Sequence, residues 1–523
     1  MAARRILFLR AILLVCLAPL VLQLVRWQWI SAYDLASAAC RQRLMVTASL
    51  GFRRADFCDR YGRLLTGRER TIVPALPAGA AIRRPAVPQG SPSRFFHAGA
   101  RLPVTDRYGE NPLAVHLLGY LNPGDGRGAA GLEKACESLL ARGGGDVLAE
   151  VVDGRRRILR GLGPRLLQLP GGGARAVRLT IDRDLQEKVE AVADRSLDRG
   201  AIVIMSPKSG DILAMASRPA FAPSRPELSL RDKGSPFLNR AVAAYHPGSI
   251  FKLVVLAAAL ESSPSTYHRL YYDRGTLDLG TIRFNCPGPG HGYLSLADAL
   301  AYSCNTVFIR LGLELGAARL IGMAERLGLG GCALPCLPGE NPGELPPKEG
   351  RSRGDVANVA IGQQDVFATP LQVARLVSAV ANGGLLPAPR LIMGWQDARG
   401  RLIPLEKKPR PVRVLNQRTA RLMRVMMEGV VRYGTGRAAS LPCGAGGKTG
   451  TAQTGACDER GRPVYHAWFA GYAPADEPEY VAVVFVENGD SGGGVAAPIF
   501  RSIMASALGS TLAGTGTGDA PGT

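Results

Sequence analysis

Two pairs of strand-like segments, far apart along the chain, constrain the fold more than any other feature. The first pair, Ala201–Met205 and Ile212–Ala216, is apolar and is separated by turn residues at 206–211. The second pair, Ala467–Tyr472 and Tyr480–Glu487, is joined by a proline-containing segment. Because the residues between the two pairs are mostly helical in pattern, we expect an α+β fold in which helices pack on an antiparallel sheet.

The segment Tyr245-His-Pro-Gly-Ser-Ile-Phe-Lys252 predicts a helix start with two reactive side chains on one face. A proline and a glycine interrupt the chain just before Ser249, and Ile250–Leu260 is apolar except for Lys252, which predicts a helix buried on all sides. Ser249 and Lys252 are three residues apart, and burial lowers the pKa of a lysine, so a neutral amine can take a proton from the hydroxyl. The alternative is a capping serine beside a lysine that extends to solvent.

The tripeptide Ser303-Cys-Asn305 lies between two predicted helices, Leu296–Tyr302 and Val307–Leu315. A hydroxyl and an amide that project from such a turn can relay a proton and hold a substrate amide. Taken alone, the tripeptide fits equally an ordinary polar turn that caps the second helix.

The segment Gly446-Gly-Lys-Thr-Gly-Thr451 predicts an extended strand that a ligand backbone can approach closely, because glycines flank its lysine. Lys448 offers a positive charge, and Thr449 and Thr451 offer hydroxyls for a carboxylate. A phosphate-binding loop needs a glycine six residues before the lysine, where this chain has Pro442, and we therefore reject that interpretation.

Each of the three motifs is a weak signal alone, but their order along the chain makes the set specific for one class of protein. Ser-x-x-Lys, Ser-x-Asn and Lys-Thr-Gly follow one another along the chain, each in a suitable local context, which indicates a serine acyl-transfer enzyme. A second Lys-Ser-Gly, at 208–210, lies in the predicted hairpin turn and is interpreted as turn residues only.

The N-terminus predicts a membrane anchor. Ala11–Val25 is an uncharged apolar run that arginines precede, and Trp27 and Trp29 follow at the position of an interfacial aromatic belt. A cleaved signal peptide is the alternative, but the nearest small-residue match, Ala36-Ser-Ala38, lies well past the run. We expect an uncleaved, single-pass anchor with the rest of the chain outside the cytoplasmic membrane.

The formal net charge of +21 permits nucleic acid, anionic lipid or an anionic wall polymer as a partner. No zinc-finger spacing, basic helix or aromatic RNA-binding signature occurs, so we expect no nucleic-acid partner. The ten cysteines, including the pair Cys332 and Cys336, show no metal-binding pattern, and a disulfide cannot be assigned from their spacing. We therefore predict no metal site.

The composition and the periodicity of the sequence change near residue 175. Residues upstream are rich in Gly, Pro and Arg with weak periodicity, whereas Val177–Asp182 predicts a strand and Leu185–Leu197 a helix. We predict an anchor at 1–29, a non-catalytic pedestal domain at 30–175, a catalytic domain at 176–508 and a disordered tail at 509–523.

The motif set resembles that of penicillin-recognising serine enzymes, and further stretches are similar to class B penicillin-binding proteins in particular. These stretches are Leu179–Asp182, Gly210–Met215, Gly362-Gln363, Thr369–Gln372, Gly434–Gly436 and Trp468–Gly471, with fainter similarity at Asp59–Gly62, His116–Tyr120 and Gly131–Glu133. The resemblance implies a β-lactamase/transpeptidase-like domain built around a buried central helix, and an elongated pedestal.

The resemblance also implies a peptidoglycan D,D-transpeptidase that needs no cofactor. Ser249 is the implied nucleophile and Lys252 the general base. The other implied roles are proton transfer by Ser303, a contact of Asn305 with the acyl side, carboxylate binding by Lys448, Thr449 and Thr451, and an oxyanion hole from the N–H groups of Ser249 and Thr451. The complete expected site is Ser249, Lys252, Ser303, Asn305, Lys448, Thr449, Gly450 and Thr451.

The implied partners are peptidoglycan stem peptides, as D-Ala-D-Ala donor and amine acceptor, β-lactams, the membrane and a polytopic SEDS-type glycosyltransferase. Two alternatives stay open at this point. One is a D,D-carboxypeptidase or β-lactamase-like hydrolase, for which Glu314, Glu325 or Glu340 could activate water. The other is a non-enzymatic β-lactam sensor or scaffold.

Overall fold

The computed structural model describes residues 2–35, 39, 44–52, 54–72, 93–95, 102–123, 125–141, 145–155, 157–159, 164–168, 174–286, 288–397, 399–405, 409–458 and 460–514. The small-residue match at 36–38 and the end of the predicted tail, 515–523, lie outside these residues. By its internal contacts the chain divides into two units, 1–55 with 69–105 and 141–173, and 56–68 with 106–140 and 174–523.

The described strands are, in chain order, β1 (Leu44–Phe52), β2 (Asp56–Cys58), β3 (Arg68–Ile72), β4 (Ser93–Phe95), β5 (Leu102–Asp106), β6 (Gly145–Val151), β7 (Pro164–Gln168), β8 (Ala176–Leu179), β9 (Gly200–Met205), β10 (Ile212–Arg218), β11 (Leu270–Asp273), β12 (Thr276–Leu279), β13 (Ile282–Asn285), β14 (Gly292–Ser295), β15 (Leu385–Leu386), β16 (Ile392–Gln396), β17 (Leu402–Pro404), β18 (Val412–Arg413), β19 (Gly446–Cys457), β20 (Pro463–Ala473) and β21 (Tyr480–Val486).

The described α-helices span Ala2–Val25, Val115–Leu118, Gly131–Ala135, Glu137–Leu140, Arg183–Ser196, Lys252–Ser262, Leu296–Ala301, Asn305–Leu315, Ala317–Arg326, Arg353–Ala360, Pro370–Ala381, Gln417–Arg432 and Ala497–Gly514. Short 3-10 turns occur at Pro226–Ser229, Gly248–Phe251, Pro264–His268 and Arg437–Ala439, and π-helical turns at Arg26–Ile30 and Gly492–Ala496. The last helix extends beyond the predicted start of the tail at residue 509.

The two predicted strand pairs meet in one antiparallel sheet of the larger unit. Its order is β10-β9-β21-β20-β19, so the second pair lies beside the first and the Lys-Thr-Gly strand forms one edge. Helices Arg183–Ser196 and Ala497–Gly514 share a buried apolar cluster with the sheet, and Pro370–Ala381 also packs on its strands. The predicted α+β fold is thus confirmed.

The predicted central helix is present and buried. Every residue from Lys252 to Leu260 is less than 9% exposed, as expected for a run that is apolar on all faces. The α-helix begins at Lys252 rather than at Ile250, because a 3-10 turn, Gly248–Phe251, precedes it. Ser249 therefore lies in this tighter turn.

A smaller sheet in the larger unit has the order β17-β16-β8-β2. The predicted strand at Val177 forms part of β8, and the predicted helix after it begins at Arg183, where the Asp182 carboxylate accepts the N–H groups of Asp184 and Leu185. Strand β2 pairs in parallel with β8, although it comes from the predicted pedestal region. The single predicted boundary near 175 thus differs from the observed division, because 56–68 and 106–140 group with the larger unit.

The smaller unit contains the antiparallel sheet β1-β6-β7-β4 and the N-terminal helix. Ile6–Ile30 is, among the described residues, the one helical stretch long and apolar enough to cross a membrane, with a mean hydropathy of 2.4. The predicted apolar run Ala11–Val25 lies inside it. This single N-terminal helix suits a single-pass membrane anchor.

Candidate active site

The turn that carries Ser249 packs against the edge strand β19. Gly248 has a φ of +52°, which favours glycine, and a β-carbon there would come within 2.9 Å of the Thr451 carbonyl oxygen. Gly450 is equally close, since a β-carbon on it would lie 3.0 Å from the Pro247 carbonyl oxygen. These contacts place Ser249, which is half-buried, beside Gly450 and Thr451.

The amine of Lys252 is buried and fully engaged with the second motif. Its Nζ donates to the Ser303 carbonyl oxygen at 2.6 Å, to Ser303 Oγ at 3.1 Å and to Asn305 Oδ1 at 2.7 Å. The ring of Phe308 lies 5.7 Å from the same nitrogen. Burial lowers the pKa of Lys252 to about 8, so roughly a tenth of this amine is neutral at pH 7 and about half at pH 8.

The amine of Lys448 reaches the same hydroxyl from the sheet. Its Nζ donates to Ser303 Oγ at 3.0 Å and to the Thr449 carbonyl oxygen at 3.0 Å, and the side chain has no exposed surface. Burial, and then the charge of Lys252, lower the pKa of Lys448 well below its ordinary value. Ser303 Oγ therefore links two buried amines that repel each other when both are protonated.

Ser303 lies in the predicted turn between two helices, and Asn305 is the first residue of the second helix, Asn305–Leu315. Ser303 has a φ of +57°, which is uncommon for a serine and indicates a conformation that its surroundings impose. The Asn305 amide Nδ2 donates to the carbonyl oxygen of Asn285 at 2.7 Å, which fixes the direction of the side chain. The turn thus presents one hydroxyl and one amide oxygen to Lys252.

Thr435 also contacts the site, although none of the three sequence motifs includes it. Its Oγ1 lies 2.7 Å from Thr449 Oγ1, so the two hydroxyls share a hydrogen bond beside Lys448. Gly434-Thr-Gly436 is one of the stretches similar to class B penicillin-binding proteins, and this similarity is the sequence signal that points to Thr435. Further along the chain, the N–H of Gly492 donates to Thr451 Oγ1 at 3.3 Å, so the π-helical turn also contacts β19.

The glycines beside Lys448 have a different role from the predicted one. A β-carbon on Gly446 would lie 2.3 Å from the Tyr472 ring, and one on Gly447 would lie 2.5 Å from the Phe469 ring. These two glycines accommodate aromatic rings of the neighbouring strand rather than a ligand backbone. Gly450 accommodates the Ser249 turn.

The three candidate glutamates contact groups outside this network. Glu314 pairs with Arg269 at 2.8 Å, and Glu325 pairs with Lys348 at 2.7 Å. Glu340 accepts the N–H groups of Ala333 and Leu334, at 2.7 and 2.8 Å. Each of the three glutamates thus has a partner that is not a residue of the predicted site.

The second Lys-Ser-Gly segment is a turn, as predicted. Lys208 is exposed, and the N–H of Gly210 donates to the Ser206 carbonyl oxygen at 2.9 Å between β9 and β10. The eight predicted site residues, in contrast, lie together. Hydrogen bonds join Lys252, Ser303, Asn305, Lys448 and Thr449, and packing places Ser249, Gly450 and Thr451 next to them.

Comparison with known families agrees with this arrangement. Residues 200–505 match the family model described as the penicillin binding protein transpeptidase domain. The chain therefore belongs to the penicillin-binding-protein transpeptidase family, and the resemblance to class B penicillin-binding proteins is confirmed.

Individual relatives extend the similarity beyond the catalytic region. Stage V sporulation protein D of Bacillus subtilis is 35% identical over 354 residues, which are 64% of this chain and 53% of that protein. The peptidoglycan D,D-transpeptidase PbpA of Mycolicibacterium smegmatis is 32% identical over 418 residues, 73% of this chain and 80% of the relative. A chain of a solved peptidoglycan synthase complex superposes with a TM-score of 0.70 at 28% identity, covering 97% of this chain and 98% of its own. The chain spans about half the length of the sporulation protein.

Proposed function

We propose that this chain is a serine-type peptidoglycan D,D-transpeptidase that cross-links stem peptides and is acylated by penicillins. The observation that carries the proposal is the shared hydroxyl of Ser303, which lies 3.1 Å from Lys252 Nζ and 3.0 Å from Lys448 Nζ beside the Ser249 turn. Two buried amines on one hydroxyl are costly for stability, and such a cost is typical of sites that move protons. Two comparisons support this chemistry: the relative PbpA is named a peptidoglycan D,D-transpeptidase, and the matching family model is described as a transpeptidase domain.

Acylation begins at Ser249. Lys252 in its neutral form takes the proton of the Ser249 hydroxyl, and the oxygen attacks the carbonyl carbon between the two terminal D-alanines. The backbone N–H groups of Ser249 and Thr451 stabilise the oxyanion. As the C–N bond breaks, the proton passes from Lys252 through Ser303 to the nitrogen of the departing D-alanine, which leaves an ester on Ser249.

The donor peptide lies along the edge strand of the sheet. Strand β19 has a partner on one side only within the five-stranded sheet, so an extended peptide can align with its other side. Lys448, Thr449 and Thr451 bind the terminal carboxylate, and Asn305 contacts the acyl side. Penicillins react at the same place because their strained amide and carboxylate match these groups.

The second half-reaction uses an amine of a neighbouring stem peptide. The amine nitrogen attacks the ester carbon, the bond to Ser249 Oγ breaks, and the proton of the amine returns to the serine oxygen through Lys252. The engagement of Glu314, Glu325 and Glu340 with other groups favours an amine over an activated water as acceptor.

The acceptor preference can be measured with a thioester analogue of the donor peptide and a D-amino acid as the amine. We expect the amide product to exceed the hydrolysed product when the amine is present. The Ser249→Ala variant should form neither. A dominant hydrolysed product at every amine concentration would identify a carboxypeptidase-like hydrolase. If neither product forms, the protein is a non-enzymatic β-lactam sensor or scaffold instead.

The proposal places the catalytic unit outside the cytoplasmic membrane, held by the N-terminal helix. Arginines before the apolar run favour an N-inside orientation. A polytopic glycosyltransferase is the proposed partner. The similarity of the whole chain to a member of a complex that coordinates polymerization and crosslinking supports it. Co-purification of the full-length protein with such a glycosyltransferase from membranes tests this point.

A further inference from the structure

Three aromatic rings form a row beside the Ser303 turn. The Tyr302 ring stacks on the His291 ring, with centroids 5.6 Å apart and planes inclined by 14°. On its other side, the Tyr302 ring meets the Tyr433 ring edge-on, with centroids 6.1 Å apart. Both geometries are typical of favourable aromatic pairs. Tyr302 is therefore the central ring of a packed row.

Hydrogen bonds and packing hold the two outer rings. The Tyr433 hydroxyl donates to Asp298 Oδ1 at 3.1 Å, on the helix that directly precedes Tyr302. His291 Nδ1 lies 2.6 Å from Asp273 Oδ2. The His291 ring also belongs to a cluster of side chains whose polar atoms all lie within 4.8 Å of one another, namely Asp273, Cys286, His291 and Cys304. The Tyr302 ring thus lies between two anchored neighbours.

Tyr302 is nevertheless open to solvent. It is 40% exposed, although the residues on either side of it, Ala301 and Ser303, are 0% and 7% exposed. A tyrosine ring is largely apolar, so its exposed surface favours contact with an apolar group. Isolated exposed aromatic residues are ordinary on protein surfaces, and the significance of this ring therefore depends on what lies beside it.

The site residues beside the row act on opposite ends of one substrate residue. In the proposed function, the Ser303 hydroxyl gives a proton to the nitrogen of the departing D-alanine, and Thr449 binds the carboxylate of the same D-alanine. A single carbon atom, which carries the side chain, separates the nitrogen from the carboxylate of an α-amino acid. The methyl group of the departing residue is therefore confined to the space between Ser303 and Thr449.

The row of rings borders this space. Tyr302 directly precedes Ser303, and Tyr433 lies two residues before Thr435, whose hydroxyl is at the carboxylate end. The two backbone segments are joined, since the Thr435 N–H donates to the Ala301 carbonyl oxygen at 3.0 Å. The neighbouring site residues offer hydroxyls and amines, whereas the Tyr302 ring supplies exposed apolar surface at this place.

We propose that Tyr302 is a specificity-determining residue whose ring packs against the methyl group of the departing D-alanine. This role rests on the proposed function, and it explains how the site prefers a leaving residue with a small apolar side chain. One methyl group in an apolar pocket changes kcat/KM by roughly 10-fold to 200-fold. Because the Tyr302 ring is partly exposed, we expect about tenfold. His291 and Tyr433 are positioning residues that hold the ring.

Two thioester donors that differ only in the leaving group test this contact. They share the acyl part, and one releases D-thiolactate, which carries the methyl group, while the other releases thioglycolate, which lacks it. For the wild type, kcat/KM should be about tenfold higher with the thiolactate donor. Tyr302→Ala should bring this ratio close to one, and Tyr302→Phe, which keeps the ring, should retain it. The matched control Tyr293→Ala removes a tyrosine that is 79% exposed, and it should keep the wild-type ratio.

The ratio separates specificity from structure. Both rates are measured on the same preparation, so a loss of folded protein, or a displaced Ser303, lowers the two rates alike. Tyr302 loses the proposed role if its alanine variant keeps the wild-type ratio, or if the wild type does not discriminate between the two donors. Failure of the proposed function has a different appearance: the wild type would form no acyl-enzyme from either donor, and both proposals would then be rejected.

Discussion

At the scale of single residues, the site depends on two buried lysines that share one hydroxyl. Lys252 and Lys448 have no exposed surface, and both donate to Ser303 Oγ. Desolvation disfavours the protonated form of each amine, and the proximity of the two disfavours a second charge. The network is therefore built to hold fewer than two protonated amines, which provides a base at moderate pH.

This arrangement predicts the pH dependence of acylation. The pKa of Lys252 is lowered to about 8, so the amine loses its proton and becomes a base as the pH rises through that value. We expect the rate constant for penicillin acylation to rise with pH and to level off above about 8.

Lys252→Arg keeps the charge but has no accessible neutral form, and we expect its rate to fall by roughly 10²–10⁴. Lys208→Arg, at an exposed turn position, is the matched control and should follow the wild-type profile. A rate independent of pH between 6 and 10, or an active Lys252→Arg variant, would contradict the role of Lys252 as base.

A second prediction concerns Thr435, whose Oγ1 lies 2.7 Å from Thr449 Oγ1. Thr435→Val keeps the shape of the side chain but leaves the Thr449 hydroxyl without this partner, at a cost of about 1 kcal/mol. The acylation rate constant should therefore fall severalfold, whereas Thr435→Ser should stay near the wild type. Equal rates for the valine and serine variants would show that the hydroxyl pair does not act on the reaction.

At the scale of elements, the catalytic geometry depends on how closely the Ser249 turn approaches β19. A β-carbon on Gly450 would lie 3.0 Å from Ile250 Cγ1, from the Pro247 carbonyl oxygen and from Trp468 Cβ. Pro247 and Ile250 belong to the Ser249 turn and Trp468 to β20, and all three residues are buried. A side chain added at Gly450 would therefore press on the turn that carries Ser249.

Gly450→Ala should therefore lower both stability, by about 1–3 kcal/mol, and the acylation rate. Gly322→Ala is the matched control, because it lies inside the Ala317–Arg326 helix with nothing within 4 Å of the added carbon. It should stabilise the protein by about 0.5–1 kcal/mol and leave acylation unchanged. Thermal unfolding and penicillin acylation measure the two effects, and a fully active Gly450→Ala variant would refute the close-approach argument.

At this scale, some features of the fold follow from local sequence patterns, and others depend on contacts between distant segments. The strand pairs, the buried helix and the Ser303–Asn305 turn follow from periodicity and from breaks in the chain, which are local signals. The meeting of Lys448 with Ser303 came from motif order and resemblance, since no local pattern encodes a contact between a strand and a distant turn.

What the sequence did not predict depends on contacts between distant segments. The cluster of Asp273, Cys286, His291 and Cys304 comes from short strands and loops at irregular spacing, so rules based on cysteine spacing could not detect it. Strand β2 was missed because three residues give no periodicity, and it is defined only by its pairing with β8. The Gly446 and Gly447 contacts required knowledge of the aromatic rings on β20.

At the scale of the whole molecule, the N-terminal helix and the net charge of +21 provide two separable routes to a membrane. An apolar helix of this length inserts irrespective of salt, whereas electrostatic binding to an anionic surface weakens as salt rises. The two contributions can therefore be distinguished by washing membranes at high ionic strength.

We expect the full-length protein to stay in the membrane pellet after a high-salt wash and to be released by detergent. A variant that lacks residues 2–30 should appear in the high-salt wash and react with penicillin at the wild-type rate. Mass spectrometry of the full-length protein should find the N-terminal residues intact. A mature chain that begins after residue 30 would establish the signal-peptide alternative.

The central claim is that Ser249 is the nucleophile of this network. The most direct test is to incubate the protein with benzylpenicillin and locate the modified residue by mass-spectrometric peptide mapping. The proteins to compare are the wild type, Ser249→Ala and the control Ser265→Ala, which alters an exposed serine. The account predicts one stable penicilloyl adduct, on the peptide that contains Ser249, in the wild type and in Ser265→Ala, and no adduct in Ser249→Ala. An adduct on any other residue, or an adduct that persists in Ser249→Ala, would contradict it.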